Sequence, residues 1–357
     1  MTAPCAHLRD CAVTATPVGI DSDLRTRVDV GLLEFLRDQR DDLPADARPL
    51  VDELERLVTA GGKRLRPVFC YWGHIAAGGA DGEPILQVAG ALELLHTFAI
   101  VHDDVVDRSP LRRGGPAAHE SLSADGGGWF GVSAAVLAGD LAMVLADSLM
   151  SRAGFPPEAM GRARQMYDRM RVRAIAGEFL DLRASRDGFA DEQQARRIAR
   201  LKSGGYTVAD PLAIGAALAT DDPDVQRVLS AYGLPLGEAF QIRDDILGVF
   251  GDPSVTGKDR DGDLREGKQT VLVAMARRLD PRASAVLNAH LGRRDLDTQD
   301  AARVREAILE SGALAAASDL ISRLAGDAVS AIDADVIGAH AASALEDLAA
   351  RVAVRED

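Results

Sequence analysis

Apolar residues recur at every third or fourth position in one segment after another, from Leu24 to near the C-terminus. Val28, Leu32 and Leu36 form one such stripe. This spacing gathers apolar side chains on one face of an α-helix, whereas a half-buried β-strand needs strict alternation. No alternating run of strand length occurs, and only 4% of the residues are aromatic, which disfavours a β-sandwich. The sequence therefore predicts an all-α fold.

The helical segments follow one another without a linker or an internal repeat that would divide them. Two stripes lie at 28–36 and 50–58, and further helices are predicted near 67–77, 85–107, 133–153, 157–182, 193–202, 211–219, 225–249, 268–278, 301–311 and 312–352, the last of them broken. Residues 1–22 lack periodicity, which is typical of a mobile tail. We therefore predict one helical domain over 23–357. The loops at 108–131 and 251–267 are long and polar, as functional loops often are.

The charge of the chain limits its partners. Lys and Arg total 41 against 55 Asp and Glu, so the formal net charge is −14. Nucleic acids and anionic membranes both require a positive surface, and neither is an expected partner. Any phosphate group must instead meet a local cluster of bases, or metal ions held on carboxylates.

The cysteines and the apolar runs indicate a compartment. The three cysteines show no metal-ligand spacing and no disulfide framework, which fits a reduced cytoplasm. The N-terminal residues lack the basic start and apolar core of a signal peptide. The most apolar stretch, 85–101, is interrupted by Gln87, Glu93 and His96. We therefore predict a cytoplasmic protein with no membrane span.

A group of acids ends the long apolar pattern at 85–107. Asp103 and Asp107 are four residues apart, so they share a helix face, and His96 lies about two turns before Asp103. A solvated helix end is the simplest alternative for such a pair. The apolar surroundings indicate instead a cation site. Magnesium suits it, because it binds one or two carboxylates and completes its shell with water and phosphate oxygens.

A second acid pair, Asp244 and Asp245, lies in another long apolar pattern at 225–249. Gln241 is three residues before Asp244 and faces the same way. A solvated patch is again the alternative, but the apolar residues on both sides disfavour it. Two such pairs on separate helices can bracket a cluster of metal ions.

Basic residues stand beside glycines at several further places. These are GGKRLRP at 61–67, Arg112 and Arg113 followed by two glycines, KSGG at 202–205, and Lys258 and Lys268. Glycines let backbone amides approach an anion, and the guanidinium fork matches a phosphate. A single Lys or Arg is usually a surface residue, but their recurrence beside acids and glycines in an acidic chain indicates phosphate binding.

These segments, in this order, resemble the trans-isoprenyl diphosphate synthases, also called polyprenyl synthases. The motifs are GGKRLRP, LLHTFAIVHDDVVD followed by RRG, GEFLD, KSGGYTVADPL, FQIRDDILG and GKDRDGDLREGK. The resemblance covers about 24 to 354. It implies the isoprenoid synthase fold, in which a single large helical bundle surrounds a deep central cavity, and it implies a homodimer. The implied reaction condenses isopentenyl diphosphate head-to-tail with an allylic diphosphate.

The resemblance also assigns roles to individual residues. Three magnesium ions would be held by Asp103, Asp107 and Asp244, with Asp104 and Asp245 as the second members of the two motifs. The isopentenyl diphosphate site would contain Lys63, Arg66, His96 and Arg113. The allylic diphosphate would meet Arg112, Lys202, Ser203, Gln241, Lys258 and Lys268. Asp103, Asp107, Asp244 and Lys202 would carry the catalysis, and no side-chain nucleophile is required.

Product length in this family depends on residues that precede the first acid motif. Phe98 lies five residues before Asp103, and Ala99 lies four before. A bulky residue followed by a small one resembles synthases that stop at the twenty-carbon geranylgeranyl product. A farnesyl or other short-chain product is the alternative. Helix geometry turns Phe98 about 140° from Asp103, so ordinary core packing is an equal reading for Phe98.

The sequence departs from the family pattern at a few positions. Gly248 stands where many relatives have Asp, Glu178 stands where Gln is usual, Ser203 replaces a frequent Thr, and 261–263 reads Asp-Gly-Asp.

Two other functions compete with chain elongation. A class I terpene cyclase usually lacks the second acid pair and the isopentenyl site, both of which are present here. A silent partner subunit typically loses motif acids, which are also present.

Overall fold

The computed structural model describes residues 19–123, 128–251 and 261–354, and most of them are helical. The helices are α1 (Gly19–Asp41), α2 (Arg48–Thr59), α3 (Leu65–Ala76), α4 (Glu83–Asp107), α5 (Ala118–Ser121), α6 (Trp129–Arg152), α7 (Pro157–Asp187), α8 (Glu192–Ala199), α9 (Asp210–Ala219), α10 (Pro223–Phe250), α11 (Gly262–Glu266), α12 (Val271–Leu279), α13 (Pro281–His290), α14 (Thr298–Glu310), α15 (Ala313–Ser330), α16 (Ala334–Ile337) and α17 (Ala339–Val354). A 3₁₀ turn, Ala45–Ala47, precedes α2, and a π-helical segment, Arg200–Ala209, joins α8 to α9. The all-α prediction is confirmed.

Helix α10 connects two clusters of buried apolar side chains. The larger cluster includes residues of α1–α4, α6, α7, α9 and α17. The second includes residues of α12–α15. Tyr232 and Leu236 of α10 belong to the first cluster, and Ile242 and Ile246 belong to the second. Because one continuous helix is buried in both clusters, displacement of α10 would disturb both of them.

Several boundaries differ from the sequence predictions. Helix α1 begins at Gly19, so 19–22 are helical rather than part of the tail, while 1–18 lie outside the described residues. The interval 203–210 between two predicted helices is also helical, since the π-helical segment reaches Ala209 and α9 begins at Asp210, and Gly204 packs closely on the backbone of α10. Helices α5 and α11 were missed because they have only four and five residues, and α13 was missed as well. The predicted break within 312–352 is found between α15 and α17.

A hairpin follows α4 within the predicted loop at 108–131. Its strands, β1 (Leu111–Arg112) and β2 (Gly115–Pro116), have two residues each, too few to produce an alternating pattern. Arg113 and Gly114 both have positive φ, at 53° and 75°. Positive φ at both central positions is the type I′ arrangement that suits a two-residue hairpin turn. The turn brings the adjacent arginines back towards α4.

Two helices, α4 and α6, are long and apolar enough to cross a membrane when judged by length and composition alone. The polar interruptions in α4 were expected to exclude it, yet its most apolar window still qualifies. In α4 67% of that window is buried inside the bundle, which accounts for its composition as that of a core helix. In α6 44% is buried, and part of the remaining surface is an exposed apolar face that includes Leu137 and Val144.

Candidate active site

A cavity of about 1080 Å³ lies between α4, α6, α7 and α10. Fourteen of the seventeen residues assigned roles above line it, namely Lys63, Arg66, His96, Phe98, Ala99, Asp103, Arg112, Arg113, Lys202, Ser203, Gln241, Asp244, Asp245 and Lys268. Asp104 and Asp107 are not among the lining residues, and Lys258 lies outside the described residues. The fold therefore brings residues from every described motif to one space.

Asp103 and Asp104 of α4 point in different directions, because neighbouring residues on a helix are about 100° apart. Asp103 faces the cavity. Asp104 is buried, and the Nε of Arg112 donates hydrogen bonds to its two oxygens at 2.9 and 3.1 Å. Burial raises the pKa of Asp104, and Arg112 opposes that rise. Asp104 therefore holds Arg112 and the hairpin against α4, and its place among the metal ligands stays a prediction.

Asp107 belongs to a cluster of acids around one lysine. The Nζ of Lys268 lies 3.2 Å from Asp107, 3.3 Å from Asp263 and 2.8 Å from Glu266. Three carboxylates therefore converge on the ammonium of Lys268, and burial raises the pKa of Glu266 to about 7 while Lys268 opposes that rise. Asp263 and Glu266 were not singled out from the sequence, although they lie in the GKDRDGDLREGK motif.

The second acid pair lies on α10, and both of its members line the cavity. The Nε2 of Gln241 donates a hydrogen bond to Asp245 at 2.8 Å. Burial raises the pKa of Asp245 to about 8, and the carboxylates of Asp244 and Asp263 add to the rise. Asp263 also occupies the space beside Gly248, where any side chain would overlap its carboxylate. The missing acid at Gly248 is therefore matched by an acid from another segment.

The acids fit magnesium in one particular way. Within the described ranges, no three Asp, Glu, His or Cys residues form a ready-made ligand set. The acids lie instead in two groups, on α4 and on α10, at the same cavity. Magnesium binds proteins through one or two carboxylates and takes its other ligands from water and phosphate. The residues therefore fit metal ions whose coordination is completed by a bound diphosphate.

Lys202 connects the acids of α4 with those of α7. Its Nζ lies 2.7 Å from Glu178, 2.8 Å from Asp181 and 3.6 Å from Asp103. The π-helical segment that carries Lys202 packs so closely on α7 that a side chain at Gly177 would overlap the backbone of Lys202. π-Helical turns occur frequently at functional sites. Asp181 is a site residue that the sequence reading missed, although the GEFLD motif contains it.

Glu178 competes with any anion for Lys202. Burial raises the pKa of Glu178, and Lys202 opposes that rise because its ammonium donates a hydrogen bond to the carboxylate. We expect Glu178→Gln to lower the KM for the allylic diphosphate about fivefold, because removal of one negative charge strengthens binding by about 1 kcal/mol. Steady-state kinetics at saturating isopentenyl diphosphate measure this change. Glu158→Gln, in the exposed first turn of the same helix, is the control, and an unchanged or higher KM in Glu178→Gln would contradict the argument.

The basic residues form a second polar region of the cavity. The Nη2 of Arg66 donates to the hydroxyl of Thr207 at 2.8 Å, and its guanidinium lies 4.4 Å from the ring centre of Tyr206. The Nε of Arg66 and the Nδ1 of His96 are buried without a hydrogen-bond partner among the described residues. Buried polar groups of this kind usually have a partner, so both atoms are available to a polar ligand. Arg113, bound through Nη1 to the carbonyl of Leu57 at 2.6 Å, lies beside them.

A buried ion pair between Arg64 and Glu93 lies next to this basic region and contacts Arg113. Arg64 has a left-handed backbone with φ of 52°, and its side chain is 3% exposed. Its Nη1 lies 2.8 Å from Glu93, which is 2% exposed, and Glu93 also lies 3.8 Å from Arg113. The Nε of Arg64 donates to Asp29 at 2.6 Å. The sequence reading did not identify Glu93, since nothing in a local pattern shows that an isolated acid meets two arginines.

His96 is expected to remain neutral. Burial and the charges of Arg66 and Arg113 lower its pKa well below the usual range. A folded-state pKa below the unfolded value of about 6.5 gives stability that is present above that pH and is lost as the pH falls. Below pH 6.5 the unfolding free energy should therefore fall by up to about 1.4 kcal/mol per pH unit more in the wild type than in His96→Gln.

Urea unfolding between pH 5 and 7 measures this difference. His340→Gln, which removes an exposed histidine that packs on Trp72, is the matched control for loss of an imidazole. Equal slopes for the wild type and His96→Gln would show that His96 titrates normally.

Phe98 and Ala99 lie in the wall of the cavity together with Met143 of α6. Phe98 also packs against the larger apolar cluster. The two readings of Phe98 are therefore compatible, because the same ring packs on the core on one side and borders the cavity on the other.

Comparison with known proteins gives a consistent result. Residues 48–308 match the polyprenyl synthetase family. The chain is 34% identical over 262 residues to the geranylfarnesyl diphosphate synthase of Aeropyrum pernix, covering 72% of this chain and 79% of that protein. It is 34% identical over 234 residues to the geranylgeranyl diphosphate synthase of Sulfolobus acidocaldarius, covering 65% and 68%.

The solved structures agree with the sequence relatives. A geranylgeranyl pyrophosphate synthase from Corynebacterium glutamicum, complexed with isoprenyl diphosphate and magnesium, superposes with a TM-score of 0.88 at 34% identity. The superposition covers 95% of this chain and 100% of that one. The all-α fold, the cavity and the family match point to one conclusion: the chain belongs to the polyprenyl synthetase family and is a short-chain trans-prenyltransferase.

Proposed function

We propose that the chain condenses isopentenyl diphosphate head-to-tail with an allylic diphosphate in a magnesium-dependent reaction, with geranylgeranyl diphosphate as the main product. The observation that carries this proposal is that one cavity contains two separate groups of basic residues, each suited to an anion. One contains Lys63, Arg66, His96 and Arg113, and the other contains Lys202 and Lys268 among the acids of α4, α7 and α10. A cyclase, which uses one diphosphate, needs only the second.

Each site has a separate task in the proposed reaction. Lys63, Arg66 and Arg113 would hold isopentenyl diphosphate, with the free Nδ1 of His96 nearby. Lys202 and Lys268 would bind the allylic diphosphate. Bound magnesium would neutralise the diphosphate and favour its departure. The allylic carbon–oxygen bond breaks, the double bond of isopentenyl diphosphate forms the new carbon–carbon bond, and a proton is lost to the released diphosphate. Breaking the allylic carbon–oxygen bond leaves a carbocation, and the cavity wall would keep water away from it.

The test is a product assay with the purified chain, magnesium, isopentenyl diphosphate and each of the three short allylic primers. We expect a twenty-carbon diphosphate, and no elongated product with any primer would overturn the proposal. A hydrocarbon or alcohol formed from geranylgeranyl diphosphate alone would indicate a cyclase. Activity of the chain without a second protein would exclude a silent subunit.

We also propose that two copies of the chain pair through α6. Trp129, Phe130, Leu137 and Val144 of this helix are all more than half exposed. A contiguous apolar surface of this kind usually marks an interaction site. Sedimentation should give a particle of twice 37.8 kDa, and a monomer at micromolar concentration would contradict the pairing. The cytoplasmic location of this dimer stays a prediction from the cysteine pattern.

A further inference from the structure

We propose that His102 and Gly139 are positioning residues for product length, because together they determine where the ring of Phe98 stands in the cavity wall. This inference rests on the proposed function, since it concerns the length of the prenyl chain that the cavity accommodates. The observation behind it is a continuous contact from α6 through His102 to Phe98.

The first contact lies within α4. His102 is one turn after Phe98, and helical side chains lean back towards the preceding turn. The two rings meet edge to face, with centroids 4.7 Å apart and planes 63° apart. Both residues line the cavity. The imidazole therefore supports the phenyl ring from one side.

The second contact fixes His102 to α6. The Nε2 of His102 donates a hydrogen bond to the carbonyl oxygen of Val136 at 3.0 Å. Gly139 lies directly against the imidazole, so closely that any side chain there would overlap the ring. A carbonyl and a glycine one turn apart thus hold the imidazole in one place. The position of Phe98 consequently depends on α6 as well as on its own helix.

These contacts predict that substitutions at His102 and at Gly139 change the length of the cavity, and so of the product, in opposite directions. Loss of the imidazole in His102→Ala leaves a space beside Phe98, into which the phenyl ring can turn, and the cavity becomes longer. A methyl group in Gly139→Ala displaces the imidazole away from α6 and pushes Phe98 inwards, and the cavity becomes shorter. Simple loss of packing would change stability in both variants but would not move product length in opposite directions.

The experiment compares product lengths from farnesyl and shorter primers. We expect His102→Ala to lengthen the main product by one isoprene unit and Gly139→Ala to shorten it by one. His102→Phe keeps a ring beside Phe98 and should return the wild-type product. Phe98→Ala is the positive control for a longer cavity.

The matched controls make the same two kinds of substitution elsewhere in the chain. Gly161→Ala adds a methyl to another helical glycine that has open space around it, and His290→Ala removes an imidazole that pairs with Asp300. Both should keep the wild-type product length. If His102→Ala and Gly139→Ala make wild-type products while Phe98→Ala does not, the inference fails and the proposed function stands. If the wild type makes no elongated product, the proposed function fails first.

Discussion

Replacing Asp103 by asparagine is expected to lower kcat for chain elongation by at least about 10³-fold. Asp103 is the acid of the first motif that lines the cavity, between Arg112 at 3.4 Å and Lys202 at 3.6 Å. Asparagine preserves the shape of the side chain but removes the charge that a divalent cation requires. Because charge stabilisation of the departing diphosphate is the main source of catalysis in such a site, its loss affects the chemical step directly.

The measurement is steady-state turnover with magnesium at saturating concentrations of both substrates. The fold should survive, since Lys202 keeps Glu178 and Asp181 as partners and Arg112 keeps Asp104. Asp224→Asn, at an acid that is 66% exposed, is the matched control and should retain wild-type turnover. An Asp103→Asn enzyme with a tenth or more of wild-type kcat would remove Asp103 from the proposed catalytic set.

Glu93→Ala should cost about 3–5 kcal/mol of unfolding free energy, because it leaves the buried guanidinium of Arg64 without its main counter-charge. Arg64 and Glu93 are 3% and 2% exposed, so solvent cannot replace the lost carboxylate. The same change removes a negative charge 3.8 Å from Arg113, so the KM for isopentenyl diphosphate should fall, for the reason given for Glu178→Gln.

Urea unfolding and substrate kinetics test the two parts separately. Glu83→Ala removes an exposed glutamate from the first turn of the same helix and should cost only a few tenths of a kcal/mol, about the size of a helix-dipole contact. Should Glu93→Ala unfold at the wild-type urea concentration, the ion pair would not be a structural support of the site.

Much of the site was predictable because each motif lies on one helix or turn. Spacing of three residues placed Gln241 and Asp244 on one helix face, and both line the cavity, whereas the meeting of α10 with Asp103 of α4 was implied by the family resemblance. The same rule explains a limitation of motif reading. Asp103 and Asp104 are adjacent, so they diverge by about 100°, and Asp104 binds Arg112 without lining the cavity itself.

The missed residues have a common cause. Glu93 meets Arg64 across 29 positions, Asp181 meets Lys202 across 21, and Asp263 fills the space at Gly248. None of these contacts has a local period, because each depends on how closely two helices approach. Gly177 had no role in the sequence predictions, and Gly248 was only a departure from the family pattern. At Gly177 and Gly248 the structure shows close packing instead.

Local patterns in the sequence determine much about this protein: the 3.6-residue period requires helices, the acid surplus argues against a nucleic-acid surface, and paired acids beside bases indicate a phosphate site. Packing between distant helices determined which side chains pair with one another around the cavity. It pairs Asp104 with Arg112, surrounds Lys202 with acids and sets His102 between Phe98 and α6. Side-chain direction follows from the local helix, but side-chain partners follow from neighbours that only the folded chain brings together.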